Sequence, residues 1–181
     1  MQDAMKILIS DEGVLLCMDL FILRHGKAEK SSDCTPDAAR ELTCDGKEEV
    51  KKVAQWIKGN KIRFDIIATS PLKRARGTAK IVAAVLDQKD RLVVWDELAP
   101  GGDPDTVCYH TSGNGEHASV LVIGHEPGLS MLISKITGDT SNGSIGLAKA
   151  GLAKIQNYSY TKRPSGDLQW LVTPKHMKDK R

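Results

Sequence analysis

The chain has 181 residues, 40% of them hydrophobic and 27% charged, with a net charge of +3. That apolar content suffices for one well-buried core, so a single domain is expected. The small positive excess suits an anionic substrate. It is too weak for nucleic acid, and 4% aromatic residues leave no platform for stacking bases.

Four cysteines, Cys17, Cys34, Cys44 and Cys108, form no C-x-x-C pair and show no Cys/His spacing for zinc. They read as free thiols in a reducing cytoplasm, with no metal implied. No stretch reaches the roughly 18 apolar residues that span a bilayer, so no membrane partner is expected. Val14–Leu23 is apolar except for Asp19, but lacks the basic start and small-residue cleavage site of a signal peptide. Residues 1–17 therefore form an N-terminal extension with two readings. Met18 is the true start, or Lys6–Ile9 adds an edge strand.

From there the chain alternates strand-like and helix-like segments. Leu20–Leu23 is a short apolar run ending in a polar turn, the pattern of a buried strand. A polar loop runs through Asp37. Thr43 then has the chemistry of an N-cap, and Val50, Val53, Ala54 and Ile57 recur at helical spacing. Phe64–Thr69 reads as the second strand. Pro71 fits the first turn of a helix continuing through Ala75, Ala79, Val82 and Leu86.

Leu92–Trp95 is the third strand and Pro100–Pro104 a loop. A short helix or irregular segment follows, up to a break at Gly113-Asn114-Gly115. Ser119–Ile123 is the fourth strand, and Pro127 opens a helix through Ile136. Gly138–Gly146 reads as a loop. Leu152–Tyr158 and Leu168–Val172 can pair as a hairpin across a turn at Lys162–Gly166. A basic tail closes the chain. The order predicts an α/β fold, a three-layer α/β/α sandwich on a mainly parallel sheet. Ligands of such folds sit beyond the C-terminal strand ends.

Polar clusters fall at those ends. Strand one ends in Arg24-His25-Gly26. Strand two ends in Thr69-Ser70-Pro71, with Arg74 and Arg76 just beyond. Asp96-Glu97 closes strand three, and Gly124-His125-Glu126-Pro127 closes strand four. Guanidinium forks match phosphate oxygens, and a helix N-terminus after Ser70 would add oriented N–H groups. A histidine among such cations can act as a nucleophile, since like charge lowers its pKa and keeps a ring nitrogen bare. A second, protonated histidine can donate to the phosphoryl oxygens. Each cluster alone is weak, because a lone R-H-G or G-H-x-P is usually structural. Their succession at consecutive strand ends carries the signal.

With those residues in place, the chain resembles the histidine phosphatase superfamily, the phosphoglycerate mutase-like proteins. The resemblance rests on Arg24-His25-Gly26, Ser70-Pro71-Leu72-Lys73-Arg74-Ala75 and Gly124-His125. It is nearest to small phosphohistidine phosphatases of the SixA type, through Phe21–Gly26, Leu42-Thr43-x-x-Gly46, Glu97-Leu98-x-Pro100 and Trp170–Pro174. It covers about residues 18–175, taken as one domain, with 176–181 as a tail.

The resemblance implies His25 as the phosphorylated nucleophile and Arg24, Arg74 and His125 as its phosphate pocket, without a cofactor. It implies no role for Arg76. Glu97 stands where related phosphatases hold a general acid, or is an ordinary surface carboxylate. Only about 20 residues join Glu97 to the next strand, too few for the helical cap of larger relatives, so the pocket should be open. An open pocket favours a phosphohistidine on a protein, such as a phosphotransfer domain or phosphocarrier. The alternatives are a phosphomonoesterase for a sugar phosphate or nucleotide, a mutase, and a phosphate-binding module without catalysis.

Overall fold

The computed structural model describes residues 7–10, 13–16, 18–30, 36–112, 119–138, 145–160 and 162–177. Gly113–Gly115, most of the Gly138–Gly146 segment and the last four residues lie outside them. Among the described residues no helix is long and apolar enough to cross a membrane.

The N-terminal segment differs from the expected edge strand. Strand β1 (Ile7–Ser10) pairs antiparallel with β2 (Gly13–Leu16), the next stretch of chain, in a two-stranded sheet of its own. Its ladder is made locally, and the main sheet is edged by other strands.

That main sheet has six strands. In spatial order they are β5 (Leu92–Val94), β4 (Ile66–Thr69), β6 (Ser119–Gly124), β3 (Met18–Arg24), β7 (Leu152–Tyr160) and β8 (Pro164–Val172). The first four run parallel; β7 is antiparallel to β3, and β8 to β7. Five of the six strands therefore point one way, and their C-terminal ends share an edge.

Successive strand residues face opposite sides, which sorts the apolar runs into two cores. Phe21, Leu23, Leu121 and Ile123 pack beneath α1 (Cys44–Gly59) and α2 (Lys73–Leu86). Leu20, Ile22, Val120 and Val122 pack on the other face, against α3 (Pro104–Ser112) and α4 (Gly128–Thr137). Val50, Val53, Ala54 and Ile57 of α1 are wholly buried, as their spacing requires. Thr43 caps α1, its hydroxyl accepting from Gly46 N at 3.0 Å. The segment after Pro104 is helical because the Asp103 carboxylate takes the first free N–H groups, those of Asp105 and Thr106.

Several boundaries move. Phe64 stays out of the β4 ladder because its N–H and C=O bond to the Gln88 amide instead. Pro71 precedes α2 rather than opening it, since the Ser70 hydroxyl accepts from Leu72 N and holds a turn that delays the helix to Lys73. Of the N–H groups expected to be free just after Ser70, that of Leu72 is thus engaged by the Ser70 hydroxyl. The last hairpin is tighter than predicted, with Tyr160 already paired to Pro164.

Candidate active site

His25 follows the last residue of the central strand β3 and is pinned from both sides. Its N–H donates to Gly124 O of β6 (3.2 Å), and its C=O accepts from Ala150 N (3.2 Å), just ahead of β7. Gly26 then turns the chain under α1. A Cβ there would lie 2.7 Å from a Val50 methyl and 2.9 Å from Gly46 O, so only glycine admits this approach. The third letter of R-H-G is thus a packing requirement that sets where the imidazole stands.

Around the His25 ring the structure gathers the other predicted side chains. Arg74, in the first turn of α2, donates from Nε to His25 Nε2 at 3.3 Å. The His125 ring lies 4.9 Å from the His25 ring between centroids, and its Nε2 is 2.9 Å from Ser70 Oγ. Arg24 reaches the backbone carbonyl of Leu147 through one terminal nitrogen at 2.7 Å. His25, Arg74 and His125 are all buried. Among the described residues Arg24 Nε and His125 Nδ1 are buried without a hydrogen-bond partner. Such atoms cost about 1–3 kcal/mol each, a cost that an oxyanion ligand would relieve.

The His25 ring has one defined tautomer. Its Nδ1 lies 2.7 Å from Gly26 O. A carbonyl only accepts, so Nδ1 carries the proton and Nε2 keeps its lone pair. Burial, more than the neighbouring arginines, lowers the ring's pKa from 6.5 to about 4, with Arg74, Arg24 and Lys149 adding to it. Desolvation therefore outweighs the like charge that the sequence alone points to. His125 corrects that reading further. Burial, then His25 and Arg74, lower its pKa to about 3, so near neutral pH it is an uncharged ring rather than a ready cation. An anion bound beside it would favour protonation, in the same sense as the Asp37 carboxylate already does.

Glu97 lies in a 3-10 turn (Asp96–Leu98), its side chain 11% exposed and in contact with His110 Nδ1 of α3. It is not a solvated carboxylate. It shares with His125 a cavity of about 160 Å³ walled by Leu98, Pro100 and Pro127. His125 is the residue common to cluster and cavity. Arg76 points outward and is exposed.

Other participants carried little sequence signal. Asp37, from the polar loop, accepts from both terminal nitrogens of Arg74, through its C=O at 2.7 Å and its carboxylate at 2.9 Å. Pairing with Arg40 and Arg74 holds its carboxyl below the usual range. Thr78 accepts from Gly26 N and donates to Arg74 O, and its position one turn after Arg74 was a usable clue. Glu126 accepts from Leu147 N at 2.6 Å and from Ser130, tying the Arg24 acceptor segment to the strand end that carries His125.

Residues 20–99 match the histidine phosphatase superfamily (branch 1). The phosphohistidine phosphatase SixA of Escherichia coli (strain K12) is 30% identical over 164 residues, covering 89% of this chain and 97% of that protein. A solved structure of the protein histidine phosphatase SixA complexed with tungstate superposes with a TM-score of 0.78 at 29% identity, over 89% of this chain and 100% of the other. The α-ribazole phosphatase of Shigella flexneri shares the fold, with a TM-score of 0.68 at 17% identity over 87% and 97% of the two chains. The chain belongs to the histidine phosphatase superfamily. It is a phosphatase, acting on a phosphorylated substrate through an α/β fold without a large insertion.

Proposed function

We propose that the chain is a protein-phosphohistidine phosphatase in which His25 Nε2 takes the phosphoryl group. The observation that carries the reading is the state of the His25 ring. It is neutral, its Nδ1 proton is fixed on Gly26 O, and its bare Nε2 lies beside Arg74. Arg24, Arg74 and His125 surround the position where a phosphoryl group would sit. Guanidinium groups there oppose the charge that builds on the equatorial oxygens. The tungstate held by the similar SixA structure is a tetrahedral oxyanion of the kind such a pocket takes.

In the first step His25 Nε2 bonds to phosphorus and the substrate P–N bond breaks. The substrate imidazole, protonated on its other nitrogen, leaves neutral. In the second step water bonds to phosphorus, the P–Nε2 bond breaks, and inorganic phosphate departs with the water's proton passing to solvent or to phosphate. A leaving imidazole needs no acid, so Glu97 can stand aside at its cavity. The substrate class is supported by the likeness to SixA and by a connection of about 20 residues from the Glu97 turn to β6, too short for a cap.

The cavity between Glu97 and His125 favours a second reading, a phosphomonoesterase whose alcohol leaving group lodges there and takes a proton from Glu97. Hydrolysis of a phosphohistidine protein, set against a panel of sugar phosphates and nucleotides, separates the two. Turnover of the esters alone overturns the first. In both, His25→Ala lowers turnover at least about 1000-fold, and acid-labile phosphate is trapped on His25 in the wild type. Hydrolysis surviving in the pure variant would refute the nucleophile.

A further inference from the structure

Helix α2 has cations at the wrong end. Its 14 residues include Lys73, Arg74, Arg76 and Lys80 and no acid, and its first turn holds three of those four. A helix N-terminus is the positive end of the dipole, where basic side chains are disfavoured. Lys73, Arg76 and Lys80 also follow each other at i, i+3 and i+7, so they repel along one face. Helix α1 differs: its outward Lys51 pairs with Glu48, and its Asp45 with Lys27. Arg74 has an assigned place in the phosphate pocket. The other three do not.

They line an open groove of about 470 Å³ between α1 and α2, together with Lys47 of α1. Leu42, Gly77 and Ile81 form its floor, and Gly77 contributes no side chain to fill it. The one carboxylate on its wall, Glu41, is 3.4 Å from Lys73. Among the described residues no carboxylate lies within ion-pair distance of Lys47, Arg76 or Lys80. A strap of six residues, Asp37–Leu42, touches both places, with Asp37 on Arg74 and with Glu41 and Leu42 lining the groove. It is fastened on the pocket side by Asp37 to Arg74 and on the groove side by Glu41 to Lys73.

We infer that this groove docks the acidic face of the phosphohistidine-bearing protein, beside the histidine it delivers to His25. The inference rests on the protein-phosphohistidine reading above. Lys73, Arg76 and Lys80 span about 10 Å of helix, so a partner helix with carboxylates at i, i+3 or i+4, and i+7 matches them. Exposed charges at the rim of a contact act mainly on encounter rate and salt dependence, by tenfold or more. A small phosphorylated molecule that fits the pocket alone would not reach the groove.

The test uses the full chain and the triple variant K47E/R76E/K80E. The substrates are three phosphohistidine-bearing phosphotransfer domains graded from acidic to basic surface, and free phosphohistidine. The expected result is a loss in kcat/KM of about tenfold on the acidic domain at low salt, carried by KM and shrinking as salt rises. The basic domain gains, and free phosphohistidine changes less than about twofold, which also reports an intact fold. Equal losses on all substrates, or none on the acidic domain, overturn the inference. If the wild type hydrolyses no phosphohistidine protein, the functional reading fails. Docking is then judged by binding of the unphosphorylated acidic domain: loss of binding in the variant supports the groove, and unchanged or absent binding overturns it. K47Q/R76Q/K80Q repeats the measurement should the reversed charges unfold the chain. Saturation of the groove by ATP, without binding of the acidic domain, would also refute a protein partner.

Discussion

Arg74 and Arg76 stand two residues apart on α2 and live in different surroundings. Arg74 is 5% exposed, with its Nε on the His25 ring and both terminal nitrogens on Asp37. Arg76 is exposed and faces the groove between the helices. Two steps along a helix turn a side chain by about 200°, so one element serves a buried pocket and an open surface with the same residue type. An arginine near a strand end therefore says little until its helical face is known.

The comparison breaks most visibly under alanine substitution. Arg74→Ala should lower kcat/KM on a small phosphoryl substrate by roughly 100- to 1000-fold, as loss of a preorganised cation does. Arg76→Ala should stay within about twofold on the same substrate, since an exposed charge outside the pocket contributes little. Comparable losses in both would collapse the distinction between the two faces.

Acid sharpens it next, because burial sets the pocket apart from the surface. His25 and His125 titrate near 4 and 3 in the fold, against 6.5 for a solvated ring. The unfolded chain therefore binds protons that the native state refuses as pH falls below about 6.5. Each histidine costs about 2 kcal/mol of stability at pH 5 relative to neutral pH, a deficit that stops growing only below its folded pKa. Urea unfolding at pH 7 and pH 5 measures the slope, and an H25N/H125N variant should lose most of it. An unaltered slope would mean that neither ring is desolvated.

The smallest effect concerns Asp37, which holds Arg74 from the solvent side. Its carboxylate competes with any anion for Arg74. Because it is half exposed, that competition is screened to about 1 kcal/mol. Asp37→Asn should tighten binding of inorganic phosphate or tungstate about fivefold by calorimetry. Weaker binding would show that the charge orients Arg74 more than it opposes the ligand.

Much of this site was legible because it is written in local pattern. The apolar run Leu20–Leu23 and the residues after it name a strand and what stands at its end. Thr43 ahead of Val50, Val53 and Ile57 names a capped helix, and the alternation of elements names the sheet. What stayed hidden depends on contacts across long stretches of chain. Asp37 meets Arg74 from 37 residues away, and Arg24 meets Leu147 from 123. Glu97 is turned by His110, which no spacing announces. The neutrality of His125 follows chiefly from burial, a property of the assembled cores that the spacing of strand ends does not announce.

The Arg24 bond to Leu147 has a consequence for how this sequence can drift. Its acceptor is a main-chain oxygen, which every amino acid possesses. Replacement of the Leu147 side chain leaves that oxygen in the chain, provided the segment keeps its course. Insertions and deletions, which move the oxygen, are the changes this contact forbids. The Leu147 side chain is itself 2% exposed in the apolar core, so its packing, this oxygen and the tether through Glu126 hold the segment together.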